Sequence, residues 1–258
     1  MKQVRFIPNT VCALQVREAL EGQEESRRVE GKPIIFGVRS VNLTPWSPTR
    51  KVYEVLEPGC ISNDLLQRSD IILNINHSNK VTDVLGRCNM GKGTLDLGLR
   101  ETYVEAGCDM PKTNAANDTL ELIRRGDISG MSFAFSDDEE DTENGVSYER
   151  TDEIEDGKEV WLRHVKRITG LYDVSIVTHP AYEQTSVGTR ESSDIDAAIE
   201  RQITASDTEE REREEQQRRE QEEQERIERE AQAQKAAREQ ATRRALRRRL
   251  NDRESLFY

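Results

Sequence analysis

Gly126-Asp127-Ile128-Ser129-Gly130-Met131-Ser132-Phe133-Ala134-Phe135 is the run whose reading sets the architecture. Gly126 is a natural helix stop, and Met131 to Phe135 has the apolar and aromatic character of a strand. The string around Ser132 nearly imitates G-x-S-x-G, with Ala134 in place of the last glycine. In an α/β-hydrolase that elbow leads straight into a helix. Here an acidic insert follows instead, from Asp137 to Asp156, too polar to be buried. The chain order Ser, acid, His also fits poorly, so the hydrolase fold is set aside.

Immediately upstream lies the one clear helix. Thr113 or Asn114 can cap it, and Ala116, Leu120 and Ile123 form one apolar face at helical spacing. Farther back come runs with strand character: Pro33 to Val38, Val52 to Leu56, and Ile71 to Ile75, which ends at His77. A short helix is expected from Asn63 to Ser69. Val84 to Arg87 and Thr94 to Leu97 suggest a hairpin across Gly91-Lys92-Gly93. Downstream, Val160-Trp161-Leu162 and Leu171 to Val177 read as two more strands, the second ended by Pro180. Many short strands with few helices predict an α+β, β-rich domain, a barrel or sandwich, over residues 31–190. Residues 1–30 read as a flexible arm or a weak first strand.

Beyond about residue 190 the composition changes. Glu209/Arg213, Glu215/Arg219, Glu222/Arg226 and Glu225/Arg229 place Glu before Arg at four-residue spacing, which supports an exposed helix. Apolar residues are too sparse for a sustained heptad. Residues 191–258 therefore read as a charged, partly helical tail, closed by an arginine-rich end from Arg243 to Arg253. The formal net charge of −12 argues against general nucleic-acid affinity. No stretch is apolar enough to suggest a membrane span or a signal peptide, so the expectation is a soluble cytoplasmic protein. Cys12, Cys60, Cys88 and Cys108 are irregularly spaced and read as scattered reduced thiols rather than a metal or disulfide framework. Neither cofactor nor metal is implied.

Three histidines are available to activate a serine: His77 upstream of Ser132, and His164 and His179 downstream. Imidazole titrates near neutrality, so it can take a serine proton and return it to a leaving amine, with activity falling in acid. A third group would hold the ring in the right tautomer. Asp173 suits this because it is an acid within an apolar strand, although alternation could instead point it to water. His164 and His179 are rivals for that place. Arg167 could donate to an oxyanion, as could backbone N–H groups near Ser132. The plainer alternatives are that Ser132 fills space in a strand and that His77 is a loop residue. Ser129 reads as a turn residue before the strand.

Taken together, Asn76-His77, Val84-Leu85-Gly86-Arg87, Arg125 to Phe133, and Asp173 to Tyr182 resemble the tailed-phage prohead serine protease family. The family is similar in fold to the herpesvirus assemblins, and the resemblance spans roughly Gly31 to Arg190. It implies a β-rich herpesvirus-protease-like barrel with few helices, His77 as base, Ser132 as nucleophile and Asp173 as the acidic third residue, where many relatives have Glu. Glycine is common in the family at the position of Ala134, and the acidic insert is not part of the motif. The resemblance further implies a serine endopeptidase packaged in the immature procapsid within the host cytoplasm. Its expected substrates are the major capsid protein, scaffold segments and itself, with self-association. The alternative is an inactive capsid scaffold; a charged filament-forming protein would leave the first 190 residues unexplained.

Overall fold

The computed structural model describes residues 3–7, 12–19, 25–178 and 194–208, with scattered positions of the following helix up to 226. Thirteen strands appear among the described residues. In chain order they are β1 (Gln3–Ile7), β2 (Gln15–Val16), β3 (Arg28–Ile35), β4 (Arg50–Leu56), β5 (Asp70–Ile75), β6 (Val84–Asn89) and β7 (Lys92–Gly93). β8 (Leu95–Leu99), β9 (Tyr103–Asp109), β10 (Gly130–Asp137), β11 (Val146–Glu155), β12 (Lys158–Val165) and β13 (Ile168–Val177) complete them. Two α-helices, α1 (Asn63–Arg68) and α2 (Asn114–Arg125), interrupt the strands.

The strands form three sheets, ordered β1-β10-β13-β5-β6-β7, β11-β12-β4 and β2-β3-β9-β8. The fold is therefore β-rich with few helices, and its sheets stay open rather than closing into a barrel. The centre of the six-stranded sheet positions the site. β10 runs antiparallel to β13, and β13 runs parallel to β5. Six consecutive residues of β10, Gly130 to Phe135, are buried. Both faces of that strand are covered, so it reads as an unbroken apolar run rather than an alternating one. Phe133 and Phe135 stack with ring centroids 5.2 Å apart on one face; Ser132 and Ala134 occupy the other.

Both helices follow their sequence signals. Thr113 Oγ1 accepts from Ala116 N–H at 3.3 Å, Ala116, Leu120 and Ile123 are buried, and Gly126 closes α2 in the left-handed conformation at φ 80°. Ser62 caps α1, accepting from Leu65 N–H at 3.1 Å.

Two expectations are corrected and one alternative is decided. The acidic insert is not all loop. β11 runs through it and pairs antiparallel with β12, burying Val146 and Tyr148 while its polar residues face outward. The hairpin after β5 is tighter than its glycines suggest. Met90 and Gly91, with φ of 50° and 73°, form the turn between β6 and β7, a geometry typical of two-residue hairpins. β8 then leaves that sheet to pair with β9. Of the two readings of the first 30 residues, the first strand is the one present: β1 pairs with β10, and β3 begins at Arg28. Arg28, Glu30 and Lys32 alternate with Val29, Gly31 and Pro33, a period-2 pattern disguised by its charged half.

The first compact unit spans Met1–Gln202, past the residue-190 composition break. Residues 194–208 are helical, and Ile195, Ala198 and Ile199 are buried. Gln202 receives the backbone N–H of Tyr148 and donates to its carbonyl, each at 2.9 Å. In the second unit, Ile203–Tyr258, Arg219 pairs with Glu215 at 2.5 Å and Arg226 with Glu223 at 2.7 Å. The other Glu–Arg pairs involve residues outside those described.

Candidate active site

Three strands and one turn build the site. Ser132 on β10 is the register partner of Ser175 on β13, and Ser175 is the partner of Asn74 on β5. Asp173 lies two residues before Ser175, so both side chains project to the same face as Ser132. β5 then ends in a turn at Asn76-His77, whose φ values of 49° and 55° lie in the left-handed region. That conformation is uncommon for histidine and costs of order 1–3 kcal/mol. Two contacts hold it: Asn76 N–H donates to the Ile176 carbonyl at 3.0 Å, and His77 N–H donates to Ser175 Oγ at 3.0 Å. Asn76 Oδ1 accepts from Thr178 N–H at 3.1 Å, tying the turn to the end of β13.

The turn aims the imidazole back across the sheet. His77 Nε2 lies 2.6 Å from Ser132 Oγ, and its Nδ1 lies 2.5 Å from Asp173 Oδ1. Ser132 and Asp173 are buried, at 0% and 3% exposure, while the His77 side chain retains 14%. The ring is thus the edge of this row that faces solvent. A buried carboxylate needs a partner, and the imidazole supplies one. With a proton on Nδ1 facing Asp173, Nε2 presents a lone pair to the serine hydroxyl. Such a row can remove a proton from a nucleophile and hold the resulting imidazolium.

The other sequence candidates lie elsewhere. Arg167, expected near an oxyanion, is at the opposite end of β10. It precedes Ile168, the register partner of Asp137, and binds Asp138 and Asp141 at 2.8 and 3.0 Å. Its charge goes to the acidic loop rather than to Ser132. His164 on β12 belongs to another sheet, with Nδ1 2.6 Å from the Glu57 carboxylate. His179 lies outside the described residues.

Two polar residues escaped the sequence reading. Ser175 and Asn74 are buried, at 0% and 4% exposure, and Ser175 Oγ donates to Asn74 Oδ1 in a short hydrogen bond. Their only sequence signal is a polar residue in each of two apolar strands, which is weak for so small a side chain as serine.

The cysteines do not compete for the nucleophile's role. Burial pushes the thiols of Cys12 and Cys108 up to about 11 and that of Cys60 to about 12, and raises Cys88 as well. The reactive thiolate is therefore suppressed. Among the described residues, no group of His, Cys, Asp and Glu side chains could hold a metal ion, and no helix is long and apolar enough to cross a membrane.

The model of the Caudovirus prohead serine protease family matches residues 13–198. That span exceeds the motif resemblance at both ends, taking in β2 and the start of the 194–208 helix. Among solved structures, the capsid assembly protease of bacteriophage T4 is similar at 12% identity, covering 66% of this chain and 98% of that one, with a TM-score of 0.31. No curated protein matches.

Proposed function

The chain belongs to the Caudovirus prohead serine protease family, and from that membership we propose a serine endopeptidase with Ser132 as nucleophile, His77 as general base and Asp173 as the acid that orients the ring. The observation that carries this reading is the continuous row Ser132 Oγ, His77 Nε2, His77 Nδ1, Asp173 Oδ1, with contacts of 2.6 and 2.5 Å. Ser132 Oγ attacks the scissile carbonyl as its proton passes to Nε2. The imidazolium, steadied by Asp173, returns that proton to the leaving amine. Water then hydrolyses the acyl-serine, with His77 again accepting a proton.

Family membership supports a location in the prohead. Within it, the proposed substrates are segments of the major capsid protein and scaffold, and the chain itself. The charged segment beyond Gln202 is proposed as a delivery element. Its sparse apolar residues cannot build a core, and its arginine-rich end offers a docking charge that salt would screen.

Co-expression with the capsid protein of the same phage tests this reading, followed by mass spectrometry of new N-termini. Cleavage of the capsid protein and of the chain itself by wild type, absent with Ser132→Ala, is the expected result. Identical full-length patterns for both would support an inactive assembly protein instead.

A further inference from the structure

Ser175 Oγ has more polar neighbours than its single proton can serve. It accepts the His77 backbone N–H at 3.0 Å, lies 3.2 Å from His77 Nδ1 and 3.3 Å from Asp173 Oδ1, and contacts Asn74 Oδ1 most closely. A hydroxyl donates once and accepts twice. Asn74 decides where the donation goes. Its Nδ2 donates to the Ser78 carbonyl at 3.3 Å, which leaves Oδ1 turned toward Ser175. The amide oxygen and the Asp173 carboxylate both only accept, and the amide oxygen, being the nearer, draws the serine proton. Both lone pairs of Ser175 Oγ then face His77, one toward the backbone N–H and the other toward Nδ1.

We propose that Ser175, held by Asn74, is a positioning residue that fixes the tautomer and aim of His77. This rests on the reading of His77 as the base. An acceptor-only oxygen beside Nδ1 favours a proton there, shared between Asp173 and Ser175. Nε2 is thereby left with the lone pair that Ser132 requires. Without the Asn74 carbonyl, the Ser175 proton can turn toward Asp173 Oδ1, where it competes with the Nδ1 proton, or toward Nδ1 itself. That would favour a proton on Nε2, where it blocks acceptance from Ser132. Ser175 also satisfies the amide of the left-handed His77, so it sets the turn as well as the tautomer. Both residues are buried, which leaves water little access to replace either group.

Two readouts test the proposal on the full chain. In a Ser132→Ala background, the Nδ1 proton of His77 should give a downfield NMR resonance, which Ser175→Ala and Asn74→Ala should each shift upfield and broaden. With Ser132 intact, each variant should lower kcat by roughly 10- to 100-fold with little change in KM, the scale of a small misplacement of a reacting group. Ser175→Thr keeps the hydroxyl and should recover most of the rate. Asn74→Ala should cost nothing further when added to Ser175→Ala, because it acts through that hydroxyl.

A kcat within about threefold of wild type in Asn74→Ala, with its Nδ1 resonance unmoved, would overturn the proposal. Additive losses in the double variant would do the same. Should Ser175→Ala fail to fold, Asn74→Ala alone decides by these criteria. Failure of the underlying reading looks different: the downfield resonance would be missing from Ser132→Ala protein with Ser175 and Asn74 intact. In that case the His77–Asp173 pairing falls, and this proposal with it.

Discussion

β10 carries a buried polar cluster at each end, and the two are built on opposite plans. Around Ser132, the groups are His77, Asp173, Ser175 and Asn74, joined by a network of hydrogen bonds. Around Asp137, five residues away, the centre is a full charge. Arg163 is completely buried and binds the buried carboxylates of Glu54 and Asp137, with Glu139 at 3.5 Å and the Tyr148 hydroxyl at 3.3 Å. Burial alone would lower the guanidinium's pKa, yet Glu54 and Asp137 hold it above its usual value. Arg163 lies on β12, Glu54 on β4, Tyr148 on β11 and Asp137 on β10, so the cluster pins the three-stranded sheet to the six-stranded one. One strand thus uses buried polarity in two ways. At one end a left-handed turn sets an imidazole between a serine and an aspartate; at the other, saturated charge locks two sheets together.

Substitutions should separate the two ends cleanly. The largest effect is expected at Ser132 and His77. Alanine at either should lower kcat by about 10⁴-fold or more, with the melting temperature nearly unchanged. Ser129→Ala should leave the rate near wild type. Next comes Arg163→Met, which strands two buried carboxylates and should destabilise by about 3–5 kcal/mol in denaturant melts. Its remaining folded fraction should keep wild-type kcat. Adding Glu54→Leu and Asp137→Leu should recover much of that loss, since apolar replacement of a buried ion cluster is often near neutral. A fall in kcat per folded molecule in Arg163→Met would break the contrast, because it would make the clamp part of the chemistry.

Effects of similar size on stability, without loss of kcat, should follow at the C-terminal edge of the first unit. Gln202 bonds both backbone polar groups of Tyr148, a member of the charged cluster. A chain ending at Arg190 also loses Ile195 and Ile199 from buried sites, at about 1.5–3 kcal/mol each. It should melt at lower temperature, whereas a chain ending after Thr208 should keep wild-type stability and kcat but fail to enter procapsids. Equal melting of the two would show that the helix contributes nothing to the folded unit.

A separate effect, on pH dependence alone, concerns the buried thiols. At pH 8, Cys12, Cys60 and Cys108 should resist alkylation in native protein. Their folded pKa values of about 11 to 12 lie above the unfolded value of 9.0, so the unfolded chain binds fewer protons as pH rises past 9. The stabilisation is full below pH 9 and is lost as pH rises toward the folded values. Denaturant melts at pH 8 and 10.5 check the sign.

Sequence alone reached one end of β10 and not the other. His77 and Ser132 stood out because imidazole is scarce and the serine lies in an aromatic strand with glycine before it. Asp173 followed from an acid in an apolar run. Ser175 and Asn74 carried no such flag, because a small buried hydroxyl and an amide look like ordinary strand residues until register sets them side by side. The clamp was hidden more thoroughly. Glu54 sat unremarked within an expected strand, and Asp137 was assigned to an exposed acidic insert. Pairing of β12 with β4 brings Arg163 to Glu54, and contact between that sheet and β10 brings it to Asp137. Arg167 erred in the reverse sense: its nearness in sequence to β13 said nothing about which end of the strand it occupies. Helices α1 and α2 were legible because caps and apolar faces are local, whereas closure of a barrel depends on long-range pairing that no local pattern fixes.

The central claim is that Ser132 Oγ becomes covalently bonded to substrate with His77 as its base. Acid-quenching a rapid reaction with an activated peptide ester and mapping the acylated residue by mass spectrometry tests it most directly. The account predicts one acyl group per chain on Ser132, formed far more slowly in His77→Ala. An acyl group on any other residue, or acylation of Ser132 at an unchanged rate without His77, would contradict it.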